Sequence, residues 1–257
     1  MDFLCIAGHR LEFARLPSAN ARTGAPPIVF LHEGLGSVSL WRDFPRRIAD
    51  ATGCEAVVYS RYGYGLSDPV KQPRTVRYMH DEALQALPEL LDALAIERPI
   101  LLGHSDGGSI ALVHAGGSGR AVAGVVALAP HVMVEDLAVA SIAQAKVAYE
   151  TGALRARLAK HHGDVDSAFR GWNDIWLHPD FRHWNIEEYL ALVTCPILAI
   201  QGWQDEYGTM EQIARIARLG RDVDTLALTD CGHAAHRDQP EAVTAAVVAF
   251  VDRLLPA

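Results

Sequence analysis

The stretch Ile100-Leu101-Leu102-Gly103-His104-Ser105-Asp106-Gly107-Gly108-Ser109-Ile110 decides the fold. A short apolar run ends at Gly103, and a helix-compatible run, residues 110–113, follows Gly108. The G-x-S-x-G spacing between them is that of a strand turning sharply into a helix with a serine at the apex. An apex residue is held in a strained conformation, so the positions flanking it must lack side chains. The hydroxyl is then lifted out of the sheet. The N–H of Asp106 lies at a helix start, where negative charge is favoured.

Outward from this turn, continuous apolar runs of the buried-strand type alternate with helical spacing. Towards the N-terminus lie Ile28–Leu31 and Ala56–Tyr59, with Trp41, Phe44, Ile48 and Ala49 on one helix face between them. Residues 3–7 and 11–16 read as an opening hairpin around Gly8-His9. Residues 76–95 carry leucines and alanines at helical spacing, with Pro88 as a kink or break. Towards the C-terminus come strands at 122–128, 197–200 and 225–228, with helices at 210–219 and 240–255. Strands alternating with helices imply a mostly parallel sheet covered on both faces. Residues 131–194 differ: their apolar positions keep helical periods, no strand stands out, and they hold Trp172, Trp176 and Trp184, three of the chain's five tryptophans.

Composition narrows the classes. The chain has 257 residues, which fits one large domain or two small ones and allows a substantial core. A net charge of -8 argues against nucleic acid or an anionic membrane as the main partner. No run of apolar residues is long enough to span a membrane. The start, Met1 to Ile6, has neither the basic head nor the apolar core of a secretory signal, so a cytoplasmic location is expected. Cys5, Cys54, Cys195 and Cys231 are widely spaced and show no metal-ligand rhythm, which predicts free thiols in a reducing compartment.

A serine hydroxyl is a poor nucleophile at neutral pH and needs a base, usually a histidine oriented by a carboxylate. In an open parallel sheet, reactive groups gather at the carboxyl ends of strands. That criterion selects Asp205, in Gly202-Trp203-Gln204-Asp205-Glu206 after the 197–200 strand, and His233, in Asp230-Cys231-Gly232-His233 after the 225–228 strand. The order Ser, Asp, His is the one expected of a single scaffold.

Together with Leu31-His32-Glu33-Gly34-Leu35-Gly36 and Arg61-Tyr62-Gly63-Tyr64-Gly65-Leu66-Ser67-Asp68-Pro69, these motifs give the chain its likeness. It resembles the α/β-hydrolase superfamily over essentially its whole length. The resemblance implies an α/β fold with a mostly parallel eight-stranded sheet flanked by helices, and a helical cap inserted after strand 6. The core would be residues 1–130 and 195–257, and the cap 131–194. Ser105 would be the nucleophile, His233 the base and then the acid, and Asp205 the orienting carboxylate. The oxyanion donors would be the N–H of Asp106 and that of Leu35, with Gly34 next. Trp172, Trp176 and His131 are the candidates for the substrate pocket, although the cap aromatics, Phe169, Phe181 and Trp184 among them, suit packing of the cap equally well. The implied activity is hydrolysis of a small or medium carboxylic ester through an acyl-serine, with no metal and no cofactor. Thioesters, lactones and carbon–carbon bonds are served by similar sites, and a noncatalytic small-molecule receptor on the same scaffold is the alternative of another class. A homodimer is left open.

Two departures from the family pattern stand out. Glu33 separates His32 from Gly34, where His-Gly-x-Gly is usual. Asp106 follows the serine, where a nonpolar or amide residue is common; its carboxylate is expected to cap the helix rather than face the pocket. Glu206, Glu135 and Asp136 are lesser candidates for the acid. His236 reads as a loop histidine, His104 as a space-filler that could also reach a loop, and His32 as a structural brace beneath the oxyanion loop, the last by resemblance. The cluster His161-His162-x-Asp164-x-Asp166 could mimic a metal site, but its hydrophilic setting predicts an exposed loop. Arg155, Arg157 and Lys160 read as a solvated helix face.

Overall fold

The computed structural model describes residues 2–255. β1 (Asp2–Ile6) and β2 (His9–Leu16) form the opening hairpin, with Ala7 and Gly8 at φ 50° and 77° in its turn. β3 (Ile28–Leu31), α1 (Phe44–Thr52) and β4 (Ala56–Tyr59) follow. Then come α2 (Tyr78–Asp81), a π turn (Glu82–Ala86), α3 (Leu87–Ala93), β5 (Ile100–His104), α4 (Asp106–Gly117) and β6 (Gly124–Leu128). Between β6 and β7 the chain is helical: α5 (Asp136–Glu150), α6 (Ala153–Leu158), α7 (Val165–Trp176), a 3-10 turn (Pro179–His183) and α8 (Glu187–Leu190). β7 (Ile197–Gly202), α9 (Glu211–Leu219), β8 (Val223–Leu228), α10 (Ala235–Asp238) and α11 (Pro240–Leu254) complete it.

The strands make one eight-stranded sheet in the order β1-β2-β4-β3-β5-β6-β7-β8. β1 and β2 pair antiparallel, β2 meets β4 antiparallel, and every later pairing is parallel. The central strands are buried along their whole length, because helices cover both faces. Alternate residues serve opposite cores. Val29, Val57, Leu101 and Ala127 face α2 to α4 and the helical segment, while Phe30, Val58, Leu102 and Val126 face α1 and α11. Trp172, Trp176, Phe181 and Trp184 of the helical segment belong to the first of these clusters, so segment and sheet share one apolar core.

The helix expected across 76–95 with a break at Pro88 carries its irregularity just before the proline, as the π turn Glu82–Ala86. Proline lacks an N–H and its ring crowds the carbonyl four residues back, so a wider turn ahead of it relieves the clash.

At the serine turn the backbone is strained: Ser105 has φ 54° and ψ -119°. The flanking glycines are required by contact. A Cβ on Gly103 would lie 2.1 Å from the Gly107 carbonyl oxygen, and one on Gly107 would lie 1.9 Å from the Leu31 carbonyl oxygen. The start of α4 is thereby pressed against the end of β3. Gly107→Ala forces backbone against backbone, and we expect a loss of about 3 kcal/mol or a failure to fold. Urea unfolding of the purified variant reads this directly.

Candidate active site

The strand ends assemble the site. A Cβ on Gly202 would come within 2.2 Å of the Cys231 carbonyl oxygen, so the loops after β7 and β8 run in close contact. They are also laced together: Gln204 N–H donates to the Cys231 carbonyl (3.0 Å) and Cys231 N–H to Gln204 Oε1 (3.0 Å). This contact carries Asp205 to His233. His233 Nδ1–H donates to Asp205, with both carboxylate oxygens at 2.9 Å. Asp205 also accepts from Gln201 Nε2 (2.6 Å) and from the N–H groups of Tyr207 (2.8 Å) and Gly208 (3.2 Å). Burial opposes its ionisation, but His233, helped by Tyr207 N–H, outweighs it and holds the carboxyl below its usual value. Burial likewise opposes protonation of His233, but Asp205 outweighs it and raises the imidazole above its ordinary value. With Nδ1 committed to Asp205, Nε2 is the free basic nitrogen.

Ser105 and His233 line one cavity of about 350 Å³, together with Gly34, Leu35, His131, Trp172 and Trp176. No hydrogen bond joins Ser105 Oγ to His233 among the described residues. The N–H groups of Gly34, Leu35 and Asp106 donate to no group of the chain among those residues either.

The Gly34 loop is braced from three sides. His32 Nδ1–H donates to the Glu33 carbonyl (2.7 Å), and His32 Nε2 accepts from Arg61 N–H (3.0 Å), which fixes a neutral tautomer. The wholly buried Arg61 gives Nη2 to the same Glu33 carbonyl (3.0 Å) and to that of His32 (3.2 Å). From the helical segment, His162 Nε2–H donates to the Leu35 carbonyl (3.0 Å) while its Nδ1 accepts from Gly65 N–H (3.0 Å). His162 is therefore buried, a correction to the exposed loop expected from its polar neighbours. Those neighbours have separate work: Asp164 caps α7 by accepting from Ser167 N–H, and Asp166 pairs with Arg155 at 2.7 Å. No cluster of three metal-ligating side chains occurs among the described residues.

Asp106 does not cap α4. Its carboxylate, fully buried, accepts from Tyr78 OH (2.7 Å) and shares the Trp176 Nε1–H (3.3 Å) with Tyr78 OH, which lies nearer to it (2.9 Å), and Arg61 Nη2 lies 3.7 Å away. A cation and two donors brought by other elements offer more than the helix N-terminus alone. Trp176 thus lines the cavity on one side and holds Asp106 on the other. Trp172 lies against Gly34, where a Cβ would sit 2.1 Å from its Nε1. Phe169, Phe181 and Trp184 pack in the core and do not line the cavity.

The remaining candidates have other partners. Glu206 accepts His233 N–H at 3.2 Å, Glu135 is tied to Thr209 and Gln212, and Asp136 pairs with Arg182 at 2.8 Å. His236 is a correction: it is 4% exposed and packs against Trp41, Phe44 and His104 rather than lying in an open loop. His104 does more than fill space, since its Nε2–H donates to the His233 carbonyl at 2.9 Å. Its Nδ1 lies 3.6 Å from Glu33, which Arg237 also approaches at 3.7 Å. Gln201 carried a faint sequence signal, a polar residue ending an apolar strand; His162 carried none.

The family model described as Alpha/beta hydrolase family matches residues 28–247. Among solved structures the chain is similar to the enol-lactonase from Burkholderia xenovorans LB400, with 19% identity over 98% of this chain and 100% of that one, and a TM-score of 0.77. A proline iminopeptidase from Mycobacterium smegmatis gives 20% identity, 98% coverage of both chains and a TM-score of 0.75. A structure from work on carboxylesterases of the thaumarchaeon Nitrososphaera gargenis gives 17%, 98% of both and 0.78. At such identities the likeness is one of fold. No match was found among curated protein sequences. No helix among the described residues is long and apolar enough to cross a membrane.

Burial holds His32, His131, His162 and His236 neutral by pushing each pKa down, His131 from 6.5 to about 4. The unfolded chain binds more protons at these positions below pH 6.5, so the stability they carry is lost as pH falls through 6.5, for His131 down to about 4. His233, with its raised pKa, acts in the opposite sense, and the lowered histidines, His80, His114 and His161 also among them, outnumber it. Urea midpoints are expected to fall steadily between pH 7.5 and 5, a range taken from the usual imidazole titration; a flat profile would contradict the neutral assignments.

Proposed function

The chain belongs to the alpha/beta hydrolase family, and from that premise we propose that it is a serine hydrolase of small or medium carboxylic esters. The observation that carries this is the Asp205–His233 pair opening on the cavity that also holds the strained Ser105. Ser105 Oγ attacks the ester carbonyl as its proton passes to His233 Nε2. The alcohol leaves with that proton, giving an acyl-serine. Water then attacks the acyl carbon, His233 takes and returns a proton, and the acid departs. Hydrogen bonds of this kind are often long without substrate and tighten when it binds.

The developing oxyanion is held by Asp106 N–H and by an N–H of the Gly34-Leu35 turn. Gly34 N–H has the better-fixed peptide, since its partner carbonyl, that of Glu33, accepts from His32, Arg61 and Gly36 N–H together. Residues 131–194 act as a cap: Trp172 and Trp176 supply apolar wall, and His131 a polar point within it. The negative groups at the rim favour neutral esters over anionic ones. Four free cysteines, Cys5 the exposed one, suit a reducing compartment.

A fluorophosphonate probe should label native protein at Ser105, and neither the heat-denatured protein nor Ser105→Ala. Ester turnover in Ser105→Ala should fall by a factor on the order of 10³ to 10⁶. Labelling without turnover of any ester, thioester or lactone would instead favour a receptor. The acid limb of kcat/KM should lie above the ordinary imidazole value, because His233 must lose its proton to act and Asp205 raises that pKa. Asp205→Asn should lower activity by about 10⁴ and move that limb to lower pH; a limb that stayed put would remove Asp205 from the role.

A further inference from the structure

His131 is unlike the buried histidines that brace the site's loops and, unlike His236, whose two unpartnered ring nitrogens are sealed away from the cavity, it lines that cavity. His32 and His162 each commit both ring nitrogens, and His104 commits one, to the backbone of neighbouring loops. His131 is 2% exposed, and neither of its ring nitrogens has a partner among the described residues. Its backbone is firmly placed: His131 N–H donates to Ser109 Oγ (3.1 Å), and that hydroxyl donates to the His131 carbonyl (2.6 Å). Its ring stands edge-on to Trp176 (5.0 Å between centroids) and 5.9 Å from the ring of His233.

The two nitrogens are not equivalent. Nδ1 is sealed inside the wall, whereas Nε2 opens to the cavity that Ser105 lines. A sealed N–H without a partner costs more than a sealed lone pair, so the proton belongs on Nε2. The neutral ring therefore aims one N–H donor into a box whose apolar walls are Leu35, Ile142, Trp172 and Trp176. A purely alkyl ester filling that box would cut Nε2–H off from water and leave it unpaired, which a site built to donate a hydrogen bond penalises. The charge of the rim limits what the acceptor can be. Glu33, Glu206 and Asp238 line the cavity, and among the described residues Arg237, which already sits beside Glu33, is the one arginine or lysine against them. A carboxylate or phosphate on the substrate would meet net repulsion, and a neutral oxygen would not.

We propose that His131 Nε2–H is a specificity determinant for esters that carry a second, neutral acceptor oxygen (oxo, hydroxyl or ether) near the scissile carbonyl. The inference rests on reading the cavity as an ester hydrolase site. That oxygen can belong to the acyl group or to the alcohol, and substrates separate the two. Ethyl acetoacetate and ethyl β-hydroxybutyrate place it on the acyl side, methoxyethyl butyrate on the alcohol side, and ethyl butyrate lacks it.

The quantity to measure is the ratio of kcat/KM for each oxygen-bearing ester to that for ethyl butyrate, compared between the native chain and two variants so that intrinsic reactivity cancels. His131→Phe keeps a flat ring without a donor, and His131→Gln restores an N–H at similar reach. For one side of the ester, the native ratio should exceed the His131→Phe ratio on the order of 10- to 100-fold, with His131→Gln recovering much of it. In Ser105→Ala, the His131 Nε2 resonance should shift on addition of that ester and not of ethyl butyrate, a readout independent of turnover. Equal ratios in native and His131→Phe protein, or an unmoved resonance, would overturn the inference even while Ser105 still takes the fluorophosphonate. Loss of both labelling and hydrolysis in the native chain would instead overturn the underlying reading, and the resonance in Ser105→Ala would still decide whether His131 binds the oxygen.

Discussion

Everything at the site depends on one close approach, that of Gly107 to the carbonyl of Leu31. A non-glycine residue at φ 54° and ψ -119° is held there only by surroundings that leave no alternative. The contact with β3 supplies that constraint. It brings the Ser105 apex beside the loop leaving β3, so the hydroxyl and the Gly34-Leu35 N–H groups come to the same cavity wall. The parallel pairing of β3 with β5 sets the distance: Leu31 lies opposite Gly103 in the register, and a one-residue slip would move the loop away from the serine.

Neutral histidine is the fastening used around this turn. An imidazole with one N–H and one lone pair can close a donor and an acceptor on two different loops without bringing a charge into the interior. His32 does this between the Glu33 carbonyl and Arg61 N–H, and His162 between the Leu35 carbonyl and Gly65 N–H. The same burial that makes such bridges strong pushes their pKa down, so they hold their shape only while uncharged. His233 differs because Asp205, itself saturated with donors, stabilises its protonated form. One residue type thus occurs here both as a neutral fastener and, bonded to Asp205, as an imidazole whose pKa is raised.

The fold was legible because each central strand is buried on both faces and so reads as an unbroken apolar run, from Ile28–Leu31 to Ile197–Ile200. The meeting of Asp205 with His233 was legible for a related reason, since both lie just past the carboxyl ends of adjacent parallel strands. What escaped the sequence depends on contacts between distant segments. His162 sits among Asp164, Asp166 and Lys160, a neighbourhood that reads as solvent; only the approach of the helical segment to Gly65 and Leu35 buries it. His236 escaped similarly, because the short α10 turns its ring onto Trp41 and Phe44. Asp106 was read from its local position at a helix start, and local reasoning could not include Tyr78 and Trp176, 28 and 70 residues away in the chain.

Asp106 shows why the helical segment and the serine turn form one unit. A carboxylate directly after the apex, buried beside Arg61, would be costly if its lone pairs were unmet. Tyr78 meets one oxygen from α2, and Trp176 meets the other from α7. Tyr78 keeps its proton for this purpose, because burial and the neighbouring carboxylate both raise its pKa. Any movement of α7 away from the sheet would strip Asp106 of a donor and open the cavity wall in the same step, while His162, from the loop just before α7, would release the Leu35 carbonyl. The helices between β6 and β7 are therefore bonded both to the turn that presents Ser105 and to the loop that faces it, and their position and the geometry around the serine cannot vary independently.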